Sequence, residues 1–509
     1  MQLSRAIWKP MKRWLYWIHR WTGIILCALF AIWFVSGVVM MYVPFPSFRA
    51  EERVAAAQPI HWNQVRVGPE AALAKLGGKE FPGEMRLEMT GGEPVYRVTD
   101  SAGRRALSAQ TGTEIAAINE SRAMQIAQAM TGKRADNATL VEQDQWVVTR
   151  AFARIAPFWR VRIDDDTMTD IYVTRQTGEI VQNTDGWERL WNWLGAVPHW
   201  IYFEVLRVYQ EPWRQTVIWT SGVGIVGAIL GIWIGILRVR MRKPYASGSV
   251  SPYRGWMKWH HIAGLVGGVF LVTWVFSGWL SMSPFGGFGG GDASGIEERY
   301  TGTAQPRFAP TDLQALSRSA AGAKELRFVH IDGQPTILAI DGENRAIALN
   351  ALSAAPIHPS VKALAERASK AVKGGRLVDA TLLTKHDVYW YATGDPRRDG
   401  RPLPVLRLKY DDPHGSWLYI DPSSGVLLAQ SSEGRRAYRW LFSALHSFDL
   451  PILLEHRPIR DGLMIILSIA GLIISVSGVV VGWRYISRGK PSRSRRVPTA
   501  ATKPVGNPV

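Results

Sequence analysis

The sequence predicts a membrane protein, an α-helical four-span bundle built as a parallel tandem repeat, with two α+β domains on the outer side. Three observations predict it. Four windows, Trp21–Val43, Gln215–Leu237, Ile262–Ser283 and Leu463–Trp483, carry no charged residue, and each is long enough to cross a hydrocarbon core of about 30 Å. The net charge of +18 is localised: residues 1–20, 238–258 and 484–509 hold five, six and seven Lys or Arg and no Asp or Glu, which accounts for all of it. The third observation is that the chain aligns with itself.

The repeat runs from span to span. WIHRWTGIILCALFAIWFVSGVVMM (17–41) aligns without gaps to KWHHIAGLVGGVFLVTWVFSGWLSM (258–282), placing His19 on His260, Gly23 on Gly264, Trp33 on Trp274 and Ser36-Gly37 on Ser277-Gly278. Further on, LWNWLGAVPHW (190–200) matches YRWLFSALHS (438–447), with Trp193-Leu194 on Trp440-Leu441 and His199 on His446. Gly224, Gly231 and Gly235 stay in register with Gly471, Gly478 and Gly482. Both copies enter from the same side, so the repeat is parallel about an axis along the membrane normal, and matched residues face each other across it.

In chain order, the expected elements are an N-terminal segment with the first span (1–43), an outer domain of two small modules (44–186), an elbow helix (187–212) and a second span (213–237). The basic loop 238–258 leads to the second copy: span 259–283, outer domain 284–434, elbow helix 435–460, span 461–483 and basic tail 484–509. The outer segments alternate apolar and polar residues and break at Thr-Gly corners, as in EPVYRVTDSAGRRALSAQTGTEI (93–115), FWRVRIDDDTMTDIYVTRQTGEIV (158–181) and SWLYIDPSSGVLLA (416–429). Helical spacing in 118–132 and 359–372 supplies one helix per sheet. The block 336–353 is a weaker copy without the glycine corner.

The charge pattern orients the chain. By the positive-inside rule the three basic segments, and so both termini, are cytoplasmic, and the outer domains face away from them. Charge confined to membrane-flanking segments points to lipid and excludes a nucleic-acid surface. A cleaved signal peptide ending near AAAQ (55–58) is the bland reading of the first span, but the apolar run is too long and its sister copy lies in mid-chain. The single cysteine, Cys27, excludes a disulfide framework, a Cys-rich zinc site and a CxxCH haem attachment.

The matched histidines carry the chemistry. Neutral imidazole is a strong axial ligand for iron and brings no charge into the membrane. A lone histidine near a helix end is ordinarily an interfacial residue, whereas two repeat-related pairs, His19 with His260 and His199 with His446, suit two bis-imidazole haem b groups at opposite membrane faces. Gly23 and Gly264 lie four residues after their histidines on nearly the same face, leaving room for a macrocycle. Trp33 and Trp274, fourteen residues on, are expected to line the cofactor from the same face, against the plain alternative of lipid-facing packing. Zinc is disfavoured, since it wants three or four ligands together. A crossing of about 22 residues spans roughly 33 Å, which suits two cofactors. Between the adjacent histidines the gapless alignment makes His260 the ligand and leaves His261 to a propionate, a headgroup or water; the register Trp256 on Trp14 and Trp259 on Trp17 makes it His261.

The xHRWxG…SG span, the HHxxG…SGxLSMxP span and the TGE-type outer modules resemble the PepSY-associated transmembrane family, over residues 12 to 486 or so. The resemblance implies two periplasmic α+β PepSY-like domains and a place in the inner (cytoplasmic) membrane of a Gram-negative bacterium. It also implies a haem-containing reductase of ferric siderophores in iron uptake, drawing electrons from a cytoplasmic or quinol donor. The family's span histidines correspond to His19 and the His260–His261 pair, its elbow histidines to His199 and His446. No NAD or flavin domain is expected: the cytoplasmic parts are short, and GGFGGG (286–291) is not a GxGxxG fingerprint. Such modules also resemble protease-inhibiting propeptide domains, so the alternative is a membrane-tethered regulatory or peptidase-binding protein without a redox cofactor; a permease generally uses more spans. Trp159, Arg160, Trp390, Arg397 and Arg398 receive no role. His61, His330, His358, His386 and His414 are expected at the surface, and His456 as an interfacial residue or spare ligand.

Overall fold

The computed structural model describes residues 2–77, 81–286, 288, 293–302, 308, 310–392 and 399–487. Most of the glycine-rich stretch, Arg397, Arg398 and the tail from residue 488 lie outside these. Four helices, α1 (Gln2–Met40), α2 (Gln210–Arg238), α3 (Trp256–Ser281) and α4 (Arg457–Ser487), are long and apolar enough to cross a membrane. The second and fourth overrun their charge-free windows at both ends, and the first and third at the N-terminal end only.

The chain divides into two compact units. One, within residues 2–31, 223–272 and 469–487, consists of helices and the loop 239–255 and is packed through small residues. A Cβ on Gly224 would lie 2.8 Å from Phe30, one on Gly227 2.6 Å from the Thr22 hydroxyl, and one on Gly482 3.1 Å from Ile24. Association of apolar helices in lipid depends on such close approach, since burial from water drives nothing there.

The other unit, within residues 32–222 and 273–468, contains the β-structure. Its strands are β1 (Glu84–Thr90), β2 (Glu93–Asp100), β3 (Gly103–Ser108), β4 (Ala135–Val141), β5 (Phe158–Ile163), β6 (Asp170–Thr174), β7 (Ile180–Thr184), β8 (Glu325–Ile331), β9 (Gln334–Ile340), β10 (Ala346–Asn350), β11 (Leu377–Leu383), β12 (Val405–Tyr410), β13 (Trp417–Ile420) and β14 (Leu427–Ser431). Two four-stranded antiparallel meanders, β4-β5-β6-β7 and β11-β12-β13-β14, pack one face against the helices Glu120–Thr131 and Val361–Ala371 respectively, through Ile126 with Val161 and Leu364 with Leu408. Both helices start at side-chain caps, Asn119 and Ser360, which satisfy amides the helix leaves free.

The first modules of the two outer segments are not separate bodies. They share one six-stranded sheet, β10-β9-β8-β1-β2-β3, joined where β1 pairs antiparallel with β8 and Arg86 stands opposite Arg327. One apolar core, including Leu87, Tyr96, Leu326, Phe328 and Leu349, serves both halves. Like charges directly opposite are destabilising, and carboxylates offset them: Arg86 pairs with Glu84, Glu88 and Glu179, and Arg327 with Glu325 at 2.6 Å. Arg53 reaches both Glu88 and Glu325. Burial alone would raise the Glu88 carboxyl, but Arg86, Arg53 and Arg97 outweigh it and hold it well below the usual carboxylate range. The block 336–353 forms β9 and β10, and its missing glycine corner is taken by Ala354 at φ 54°, where the first half has Gly112 at φ 71°.

The elbows differ from the single helices expected. The first is three pieces, Gly186–Leu194, Ala196–His199 and Glu204–Arg207; the second runs Glu433–Tyr438, a π-helical turn Arg439–Ala444, Leu445–Ser447 and Pro451–Glu455. Two residues after each elbow histidine the backbone turns left-handed, at Ile201 (φ 52°) and Phe448 (φ 50°). That conformation costs a non-glycine residue about 1–2 kcal/mol, and it stops each helical segment just beyond its histidine.

Candidate functional site

His19 and His260 come together in the helical unit. Their ring centroids are 6.1 Å apart with planes inclined by 35°. His19 Nδ1 hydrogen-bonds the Gly227 carbonyl of α2 at 2.9 Å, and His260 Nδ1 the Ile474 carbonyl of α4 at 3.1 Å, with the Ser477 hydroxyl at 3.2 Å. A carbonyl only accepts, so each Nδ1 carries the proton and each Nε2 keeps its lone pair. The close packing that sets these bonds needs glycine: a Cβ on Gly231 would lie 2.5 Å from His19 Cε1, and one on Gly478 3.3 Å from His260 Cε1.

A cavity of about 1060 Å³ opens in this unit, lined among others by His19, His260, Gly23, Gly264, Arg254 and Arg484. Its size is at the upper end of the roughly 300–1,000 Å³ typical of sites that enclose small molecules and cofactors. A Cβ on Gly264 would meet nothing within 4 Å, and one on Gly23 only Cys27 Sγ at 3.8 Å, so space does stand in front of both.

His199 and His446 form the second pair, in the β-containing unit, with centroids 6.2 Å apart and planes at 73°. Here the acceptors belong to α1 and α3. His199 Nδ1 lies 3.2 Å from the Trp33 carbonyl and 3.1 Å from the Ser36 hydroxyl; His446 Nδ1 lies 3.0 Å from the Ser277 hydroxyl, which itself donates to the Trp274 carbonyl at 3.0 Å. Burial pushes the His199 imidazole down to about 3, with His446 adding to the effect, and pushes His446 down to about 4, so both rings are neutral near pH 7. Gly37 and Gly278 again make room, a Cβ there lying 3.3 and 3.5 Å from the two Cε1 atoms.

The separation within each pair limits what could sit between the rings. Metal–imidazole bonds are about 2 Å, and the ring centre lies a little over 1 Å behind its nitrogen, so one metal between two axial imidazoles sets the centroids roughly 6–6.5 Å apart. Both pairs meet this. Among the described residues no Nε2 of the four histidines has a protein partner, and no cluster of three or more His, Cys, Asp or Glu is arranged to hold a bare ion. The donor sets therefore fit a planar group that supplies its own equatorial ligands, as haem does.

The family described as the PepSY-associated TM region matches residues 16–371. The chain belongs to that family. The match spans His19, His199, His260 and His261 and ends before His446. No curated protein matches the chain.

In this PepSY-associated chain the adjacent histidines are separated by their contacts. His261 is buried, with Nδ1 at 2.8 Å from the Ser251 hydroxyl and Nε2 at 3.0 Å from the Gly235 carbonyl. Both nitrogens are occupied, which removes it as a ligand and gives it the work of tying the loop to α2. Trp33 and Trp274 are absent from the residues lining the cavity before His19 and His260; the Trp33 carbonyl meets His199, and the Trp274 carbonyl accepts from Ser277, the partner of His446. The Trp274 indole Nε1 is buried without a partner among the described residues. His330 is buried rather than superficial, edge-on to Phe81 at 4.4 Å, because it points into the sheet core from β8. His456 is exposed and bonds the Ile452 carbonyl.

Serine and glycine partners carry the part of the site not foreseen. Ser36, Ser277, Gly231 and Gly478 stood matched in the alignment, and that register was the available signal. One contact breaks the match: Phe442 stacks on the His446 ring at 5.1 Å and Tyr438 on Phe442 at 5.3 Å, whereas the position aligned with Phe442 is Gly195.

Proposed function

We propose that this chain is a tandemly duplicated inner-membrane di-haem b oxidoreductase that moves electrons across the bilayer and reduces ferric siderophores on the periplasmic side. Its termini are then cytoplasmic and its β-structure periplasmic, as the basic segments suggest. The observation that carries the reading is the preparation of four imidazoles in two pairs, with centroids 6.1 or 6.2 Å apart, Nδ1 of His19, His260 and His199 bonded to a main-chain carbonyl and Nδ1 of His446 to the Ser277 hydroxyl.

Haem b held by each pair supplies one-electron transfer at a potential set by bis-histidine ligation and burial. The carbonyls of Gly227, Ile474 and Trp33, and for His446 the Ser277 hydroxyl that donates on to the Trp274 carbonyl, fix the tautomer, orient the ring and raise the basicity of Nε2. Gly23 and Gly264 leave the space a flat group needs, and Arg254 and Arg484 at the cavity wall offer cations to its carboxylates. On the substrate, one electron converts Fe(III) to Fe(II), a poorer match for hard oxygen donors, while a quinol or cytoplasmic donor is oxidised.

The test is reconstitution in liposomes with a reductant inside and a ferric siderophore with a ferrous-iron trap outside. Ferrous iron is expected outside for the wild type and not for His199→Ala or His260→Ala. Equal yields from all three would end the proposal.

A further inference from the structure

The two four-stranded modules place corresponding strands in the same register, Arg162 opposite Asp170 in one and Lys409 opposite Trp417 in the other. In the first, Asp170 neutralises its neighbours: it is 2.5 Å from Arg162 and 3.2 Å from Arg189, and Arg160 meets Asp144 at 3.4 Å. In the second, the carboxylate is replaced by an indole. Arg436 sits 4.2 Å, Lys409 4.9 Å and Arg407 5.2 Å from the Trp417 ring centroid.

The cations there are only partly balanced. Lys409 pairs with Asp379 at 3.0 Å and Arg407 with Asp387, while Arg436 donates to the Ser431 and Gly415 carbonyls and has no ion pair among the described residues. Burial lowers the Arg436 guanidinium from its usual range, with Glu433 and Asp412 the carboxylates that act back on it. Arg407 is 9% exposed and its Nε has no partner. Positions 160, 162, 170, 188, 189 and 192 are Arg, Arg, Asp, Glu, Arg and Asn; their counterparts 407, 409, 417, 435, 436 and 439 are Arg, Lys, Trp, Arg, Arg and Arg. Tyr389 packs edge-on to Trp417 at 5.0 Å and accepts the Trp440 indole hydrogen bond at 3.1 Å, bordering the patch with aromatic surface.

Three converging cations with two ion-paired carboxylates between them leave an excess of positive charge that favours a bound anion, and indole and phenol rings favour one with a flat face. We propose that the second module carries a binding site for an anionic iron chelate with flat, ring-bearing arms of the catecholate type, held by Arg407, Lys409 and Arg436 around Trp417. The inference rests on the reductase reading for its ligand class. The helix that presents Arg436 leads, through the stack Tyr438, Phe442 and His446, to an elbow histidine; the first module has Gly195 in that stack and Asp170 at the patch.

The test uses the full chain in detergent and a substitution-inert, non-reducible probe, the trianionic chromium(III) tris-catecholate, followed by equilibrium dialysis. Trp417→Asp, which installs the first module's residue, and Arg436→Gln are each expected to weaken binding about tenfold or more, with haem content unchanged, and the uncharged chromium(III) tris-acetohydroxamate is expected to bind more weakly than the tris-catecholate. Wild-type affinity in both variants overturns the site. So does equal binding of the uncharged complex, or displacement of the probe by phosphatidylglycerol vesicles, which would mark a lipid-headgroup site. Because the probe accepts no electron, the site can stand where reduction fails, and fail where reduction stands.

Discussion

The span pair and the elbow pair reach nearly the same ring separation by different construction. His19 and His260 lie within continuous helices, and carbonyls of the neighbouring spans, Gly227 and Ile474, orient them. His199 and His446 sit in broken elbows, before the left-handed Ile201 and Phe448; His199 leans on the Ser36 hydroxyl and Trp33 carbonyl of α1, and His446 on the Ser277 hydroxyl of α3. The ring planes differ accordingly, 35° against 73°. A ligand on a rigid helix takes its orientation from the helix it packs on; a ligand on a chain break has to be clamped, and the clamp can turn it.

The largest expected effect separates the pairs outright. His260→Ala removes one haem of two, read as haem per chain by the pyridine haemochrome method, while His261→Ala retains both, since each of its nitrogens is engaged by protein. Loss of haem in the second variant and retention in the first would reverse the assignment.

Next come the close-approach glycines. Gly231→Val drives a side chain into His19, so the span haem should bind about 10–100-fold more weakly, whereas Gly37→Ala, with 3.3 Å to His199, should leave both haems bound and shift only the elbow one. Redox titration resolves the two. A double variant Ser36→Ala/Ser277→Ala tests the clamp: about 1 kcal/mol per lost hydrogen bond should lower the thermal stability of the elbow haem and spare the span haem, and equal losses at both would mean the hydroxyls do not orient the rings. Smallest is Trp274→Phe, which removes a buried unpartnered N–H. With a bound group as its partner, the elbow absorption band shifts slightly; with none, protein stability is unchanged or rises.

Much of this was legible in the sequence, for physical reasons that also mark the limits. Span helices show as charge-free windows because lipid tolerates few charges, and the four histidines show because the repeat keeps them in register. The β1–β8 pairing that fuses the outer modules was not visible, since it joins strands some 240 residues apart through Arg86, Arg327 and their carboxylates. The choice between His260 and His261 depends on Ser251 and the Gly235 carbonyl, which no local pattern announces. Trp33 and Trp274 were matched by the alignment, which records side chains; it could not show that the Trp33 carbonyl meets His199 and the Trp274 carbonyl meets Ser277, the partner of His446. The elbow breaks escaped because Ile201 and Phe448 are residue types that rarely turn left-handed.

The electron paramagnetic resonance spectrum of the oxidised, purified protein tests the central claim most directly. Near-perpendicular axial imidazoles leave the iron dπ orbitals nearly degenerate and the low-spin signal strongly anisotropic, and more parallel planes split them and reduce the anisotropy. With a haem held by each pair, the spectrum shows two low-spin ferric signals of equal weight, the more anisotropic one lost in His446→Ala and the other in His260→Ala. A spectrum with no low-spin haem, or one that both substitutions leave unchanged, would contradict that claim.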